Sequence, residues 1–230
     1  YIPGGSPDCL KLLSVDQWGT QQWTSMNASF MGCIYLTGNA IDEPDLSLVS
    51  DMSFAFAFAL KFNDNIGNWN VSNVTDMSFM FNGAAEFNQD ISDWTVSNVT
   101  NMQSMFASAS AFNQPLGGID GWDVINVTNM QSMFQYAKSF NHSINDWKVD
   151  NVTNMGYMFH SASAFNQSIG DWTVSNVTDM KGMFREASVF NQSIGDWTVS
   201  NVTNMGYMFH GASAFNQDIS SWKMSNVTDI

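Results

Sequence analysis

The residue type best placed to do chemistry in this chain is asparagine. Asn-x-(Ser/Thr), the acceptor sequence for N-linked glycans, occurs at Asn27, Asn70, Asn73, Asn98, Asn126, Asn141, Asn151, Asn166, Asn176, Asn191, Asn201 and Asn226. A repeat multiplies whatever it contains, so each asparagine is also weighed as a ladder residue whose amide hydrogen-bonds to the neighbouring repeat. Asn63, Asn88, Asn113 and Asn216 occupy the same phase as Asn141, Asn166 and Asn191 but have no Ser or Thr two residues on. That column therefore reads as an inward ladder. The glycan expectation rests on Asn27, Asn70 and the Asn-Val-Thr column, Asn73, Asn98, Asn126, Asn151, Asn176, Asn201 and Asn226.

Carboxylates are the second candidate chemistry. Asp146, Asp171 and Asp196 succeed one another in a column that holds Asn68, Asp93, Gly121 and Ser221 elsewhere. Unit charges about 5 Å apart repel by about 1 kcal/mol even in water, so the column either faces solvent or binds a hard cation such as Ca²⁺. Exposed turn residues are favoured, and no metal site is expected. His160 and His210 share a phase but lie two repeats, roughly 10 Å, apart with Arg185 between them, which rules against a shared metal ion. The third histidine is His142, and neither a G-x-S-x-G nucleophile nor a Gly-rich phosphate loop occurs. The chain is expected not to be an enzyme and to need no cofactor. Cys9 and Cys33 stand together near the N-terminus. An oxidised pair closing a loop of about 25 residues would stabilise it by roughly 3 kcal/mol, the alternative being two buried thiols.

The elements that must position these groups follow from a period. Trp recurs at 69, 94, 122, 147, 172, 197 and 222, every gap being 25 residues except one of 28. The long gap is an insertion within Gln114–Gly121 that should bulge outward. In register with Trp run Phe-Asn pairs from Phe62-Asn63 to Phe215-Asn216 and Met-Phe pairs from Met80-Phe81 to Met208-Phe209, the latter followed three residues on by Ala. Within a unit, V-T-N-M-x-x-M-F-x-x-A has the three- and four-residue apolar spacing of a short helix with Thr as its N-cap. The alternation in F-N-Q-S-I fits one strand. The expected fold is a leucine-rich-repeat-like solenoid with a parallel β-sheet on one face and a short helix or helical turn per 25-residue coil. Leu46–Phe56 reads as a degenerate first unit, with Leu48 at the Asn phase and Ser50 at the Thr phase. Residues 1–45 read as a cap carrying the disulfide, and 46–230 as about eight coils, the last incomplete, forming a rod about 4 nm long.

The residues W-T-V-S-N-V-T-N-M-x-x-M-F-x-x-A-x-x-F-N-Q-x-I closely resemble the bacterial surface-protein repeat of 25 or 26 residues, a relative of the BspA-like leucine-rich repeats that is also abundant in microalgal proteins. The resemblance spans about residues 46–230 and implies a solenoid displayed at a cell surface, with roles in adhesion or interaction and no catalytic motif. The cell-wall and lipid anchors of some members have no counterpart here.

Composition limits the partners. Lys and Arg total 7 against 21 Asp and Glu, a net charge of −14, so polyanions such as nucleic acid and anionic membrane are not expected. The hydrophobic fraction of 44%, with 9 Trp, 18 Phe and 16 Met, is too apolar for a disordered chain. No apolar run reaches the roughly 18 residues of a membrane span. The sequence starts without a basic-plus-apolar leader, read as a signal peptide already removed or never recorded. The expected protein is a secreted, extracellular or cell-surface structural element whose copies assemble head to tail, because Ile230 falls partway through a unit and the next copy's first 45 residues could complete it. The alternative is an adhesin that binds a protein or glycan. The variable column Asn70, Thr95, Asp123, Lys148, Thr173, Thr198 and Lys223 holds no aromatic or Arg hot spot, which favours the structural reading.

Overall fold

The computed structural model describes residues 7–117 and 121–230, so the inserted residues 118–120 lie outside it. Each unit is organised by what its Asp or Asn does just before the first Met. Asp76 Oδ1 accepts the Ser78 N–H at 2.8 Å, and Asn101, Asn129, Asn154, Asp179 and Asn204 hold the N–H two residues ahead in the same way. This is an Asx turn, and it starts a chain reversal rather than a helix.

The M-x-x-M-F-x-x-A segment then runs as consecutive turns. The Met80, Asn82 and Ala84 N–H groups donate to the carbonyls of Met77, Phe79 and Phe81 at 3.0–3.2 Å. Phe79 and Gly83, at the corners, have φ of 57° and 71°. The intervening N–H groups point sideways: Met77, Phe79, Phe81 and Gly83 donate to Asn101, Gln103, Met105 and Ala107 of the next repeat at 2.7–3.0 Å. An α-helix would have aimed every N–H four residues back along its own axis. The expected helix is therefore replaced by a turn ribbon that spends alternate donors within the repeat and between repeats. Apolar spacing of three and four residues suits both structures, and an identical neighbour one repeat away supplies the carbonyls that favour the ribbon.

Thr, expected as a helix cap, bonds backwards instead. The Thr100 N–H and Oγ1 both donate to the Thr75 carbonyl, at 2.9 and 3.2 Å, and Thr128, Thr153, Thr178, Thr203 and Thr228 repeat the arrangement. Beside it, single-residue parallel bridges link Asp51, Asp76, Asn101, Asn129, Asn154, Asp179, Asn204 and Asp229 in series. The parallel pairing thus lies at this column and is one residue wide. F-N-Q-x-I forms no strand in the repeats, and its cross-repeat bonds are made by side chains. Among the described residues the only sheet is β1 (Ser14–Val15) paired in parallel with β2 (Thr37–Gly38), and the only helix is a short 3-10 turn, Pro7–Lys11. No helix there is long and apolar enough to cross a membrane.

The core is a set of continuous columns. Phe159 is fully buried, stacked on Phe165 of its own repeat at 4.1 Å and on Phe134 and Phe184 of the flanking repeats at 5.7 and 5.8 Å. The Trp side chains of the repeats, Trp69 to Trp222, are buried, and each from Trp94 to Trp222 donates its indole N–H to an Ile or Leu carbonyl of the preceding repeat at 2.9–3.1 Å. A large apolar ring with a satisfied donor suits such a position. Thr128 N–H reaches the Thr100 carbonyl at 2.9 Å, so the ladder crosses the insertion unbroken.

The turn ribbon also reaches back into the segment read as a cap. Met26, Ala28, Phe30 and Gly32 donate to Asp51, Ser53, Ala55 and Ala57 at 2.8–3.0 Å, the pattern of every later repeat, and Phe30 stacks on Phe56 at 5.3 Å. Further out, Asp42 accepts the N–H groups of Trp18 and Gly19 at 2.8 Å, and Trp18 meets Trp69 edge-on at 5.0 Å.

Candidate functional site

Each repeat leaves side chains facing outward on either side of buried Val and Met-Phe, and these make up the candidate surface. The Asn-Val-Thr asparagines are exposed, and Leu48, in their column, is 55% exposed. Each side-chain Nδ2, the atom a glycan would modify, donates to a carbonyl of the preceding repeat at 2.7–2.9 Å. Asn70 is also exposed and its Oδ1 accepts from Ser72, while Asn27 Nδ2 donates to Ser53 Oγ at 2.6 Å. One amide hydrogen is committed in each laddered Asn and one remains.

The Phe-Asn asparagines form the expected ladder but are not inward. They are half-buried or exposed, and each Oδ1 accepts the backbone N–H of the next Asn at 2.8–3.0 Å. Here a side-chain carbonyl does what a strand carbonyl would have done. Asn166 Oδ1 takes both the Asn191 N–H at 2.9 Å and Gln192 Nε2 at 3.0 Å. Asn166→Ala strips the acceptor from a half-buried N–H and is expected to cost about 1–3 kcal/mol, whereas Asn166→Asp, which keeps an acceptor, should cost clearly less. Urea titration of the two variants checks this, and equal losses would remove the ladder's energetic role.

Asp146, Asp171 and Asp196 are exposed, in single file. Among the described residues no three of His, Cys, Asp or Glu come together as a metal ion would require. The variable column after Trp, including Asn70, Lys148 and Lys223, is exposed throughout. Cys9 and Cys33 are thiols in hydrogen-bonding contact, and burial together with Cys9 pushes the Cys33 thiol up to about 12.

The chemically diverse surface lies elsewhere, on the turn ribbon. Its corner position is Phe54, Phe79, Ser104, Ser132, Tyr157, Gly182 and Tyr207 in successive repeats, and the position after Phe is Asn82, Ala107, Gln135, His160, Arg185 and His210. Over residues 135–210 these columns form one connected cluster. His160 is buried, with Nδ1 2.8 Å from Gln135 Nε2 and Nε2 3.8 Å from a Glu186 oxygen. Burial holds its imidazole below the ordinary range, against the attraction of Glu186. Glu186 is exposed, yet the Ser161 hydroxyl at 2.9 Å, with help from His160, Arg185 and His210, keeps its carboxyl below the usual range. Arg185 lies 5.7 Å above the Tyr207 ring, and Tyr136 packs 4.8 Å from His160. The sequence signal was present: aromatic, Arg and His residues diversify these columns while the core columns stay fixed. The spacing hid it, because a helix reading spreads the same positions around an axis.

A chain whose units bond to one another through the same groups at each step is a repeat protein. It matches the family described as Mycoplasma protein of unknown function, DUF285, over residues 24–120, 116–197 and 168–230, and belongs to that family. The match begins at residue 24, where the turn-ribbon pattern begins. No curated protein and no solved structure matches the chain.

Proposed function

We propose that the protein is a non-enzymatic, leucine-rich-repeat-like solenoid of the cell exterior, a stiff structural element that displays side chains along its length. The observation that carries this is the saturation of cross-repeat bonding. Thr, Asn-Val-Thr, Phe-Asn, Trp and the turn ribbon each tie every repeat to its neighbour, leaving little freedom for the motions an active site uses. The ladder is translational, so more repeats in one chain or further copies placed head to tail extend it equally, toward a filament or coat. Sedimentation and negative-stain electron microscopy test this. Elongated particles that lengthen with concentration are expected, and compact particles at all concentrations would refute it.

N-linked glycans on the exposed Asn columns fit a secreted chain. Neighbouring acceptors stand one repeat, about 4.8 Å, apart, so occupancy of alternate repeats is the expected ceiling. A secreted chain also implies that Cys9 and Cys33, already in contact, oxidise to a disulfide. Thiol labelling of the unreduced, denatured natural protein should find no free thiol, and two labels would argue for a reducing compartment.

The second reading, an adhesive module for a protein or glycan, is favoured by the Tyr-His-Arg cluster on the turn ribbon. Tyr and Arg are the residues on which binding energy concentrates, and here Tyr136 is exposed beside His160 while Arg185 lies over the Tyr207 ring.

A further inference from the structure

We propose that the ribbon seam around His160 is an acid-sensitive joint, in which protonation of the imidazole in mildly acidic surroundings loosens the inter-repeat bonds of Tyr136 and Ser161 while the rest of the ladder holds. The joint does not depend on what the surface displays or binds.

Position makes the ring a hinge pin. His160 belongs to a column that reads Asn82, Ala107, Gln135, His160 and Arg185 in successive repeats, and it alone of these changes charge near neutral pH. Its side chain is 8% exposed, packed 4.8 Å from the Tyr136 ring of the preceding repeat and 5.7 Å from Tyr157 of its own. The backbone beside it carries the seam on both sides. The Tyr136 N–H donates to the His160 carbonyl at 2.8 Å, and the Ser161 N–H donates to the Arg185 carbonyl at 2.7 Å. A ring forced to move therefore strains both bonds.

The hydrogen bonds suit only the neutral ring. Gln135 Nε2, an amide donor, lies 2.8 Å from Nδ1, so the ring accepts there and its single proton sits on Nε2. Nε2 faces Glu186 Oε2 at 3.8 Å, too far for a hydrogen bond. A second proton has to enter at Nδ1, where it meets the Gln135 N–H. The contact that held the ring then sets donor against donor, and Gln135 must turn its amide or give way.

The surrounding charges do not make up for this. Glu186 attracts an imidazolium, yet its Oε2 already accepts the Ser161 hydroxyl at 2.9 Å and its Oε1 lies 3.5 Å from Arg185 Nε. Arg185 repels the imidazolium, Tyr136 and Tyr157 bring rings without compensating charge, and His210 adds positive charge beside Glu186 when protonated. Burial outweighs the pull of Glu186 and holds the His160 imidazole below the ordinary range. The folded seam thus takes up its proton less readily than the unfolded chain. The stability that the neutral ring contributes is complete above the ordinary histidine value of about 6.5 and is lost as pH falls from there toward the lower folded value.

NMR titration of the His160 ring, with amide hydrogen exchange of the whole chain at about pH 7 and about pH 5, tests the proposal. His160 should titrate below the ordinary range. Protection of the Tyr136 and Ser161 amides, corrected for the pH dependence of free-peptide exchange, should fall several-fold in acid. The Phe79 and Gly83 amides, which make the same inter-repeat bonds in a repeat without histidine, should keep theirs. His160→Gln, which matches the residue of the preceding repeat, should abolish the difference, and Glu186→Gln should move the His160 midpoint to lower pH. Unchanged circular dichroism at neutral pH shows that the variants fold, and the titration of the unaltered chain decides the matter even if they do not. The proposal is overturned if His160 titrates in or above the ordinary range, if Tyr136 and Ser161 keep their protection in acid, or if Phe79 and Gly83, or the His160→Gln chain, lose it equally.

Discussion

Trp172→Ala is expected to cost about 3–5 kcal/mol, among the largest losses any single truncation in this chain can produce. The indole is buried, stacks on Trp197 at 6.3 Å with planes 4° apart, and meets Phe159 at 6.3 Å. Its Nε1 donates to the Ile144 carbonyl at 2.9 Å, so truncation opens a cavity and also removes one of that carbonyl's two donors, leaving only the Trp147 N–H at 3.2 Å. Repeats on both sides lean on the same ring. Lys148→Ala, in the exposed column after Trp, should change stability by less than about 0.5 kcal/mol. Denaturant melts of the pair measure the contrast, and equal losses would invalidate the division into inner and outer columns.

Gly83→Ala separates the turn ribbon from a helix by the sign of its effect. Within a helix, replacing Gly by Ala stabilises by about 1 kcal/mol. Gly83 instead has φ of 71°, and a Cβ there would sit 2.7 Å from Phe58 Cδ1. Left-handed backbone costs an L-residue about 1–2 kcal/mol, and displacing the Phe58 ring adds to that, so destabilisation of about 1–3 kcal/mol is expected. Phe79, Ser104 and Tyr157 hold comparable φ without being glycine, so the backbone alone does not forbid the change. A rise in melting temperature on Gly83→Ala would contradict the ribbon.

Some of this was legible in the residues and some was not. The Trp, Met-Phe and Phe columns read as core because a fixed period with fixed large apolar residues leaves them no other place, and Trp172, Phe159 and Phe165 are buried accordingly. The Phe-Asn ladder was legible because Asn63, Asn88 and Asn113 persist with no sequon to explain them. Its exposure was not, since a ladder works equally well in solvent at a coil corner. The turn ribbon is not distinguishable from a helix in the sequence because Met, Met, Phe and Ala at three- and four-residue spacing mark a helix face and a run of turns alike. Phe79, Tyr157 and Glu186 at positive φ gave no warning, while Gly83, Gly182 and Gly211 at the same corners were a weak one. Residues 26–33 do not read as a repeat because only Met26 and Phe30 keep its large residues, although their backbone bonds are those of every later unit. The Tyr-His-Arg cluster is not legible in the column after Trp, which is exposed but is not where the chain diversifies.

The measurement that bears most directly on the central claim is through-hydrogen-bond scalar coupling in solution NMR, which connects each amide nitrogen to the carbonyl carbon it bonds. The ribbon predicts couplings from Met155, Tyr157, Phe159 and Ser161 to the carbonyls of Asp179, Lys181, Met183 and Arg185 in the next repeat, alternating with short-range couplings from Met158, His160 and Ala162 to Met155, Tyr157 and Phe159. An unbroken series linking each of these amides to the carbonyl four residues earlier would mean that the segment is a helix and that the repeats are not bonded in this way.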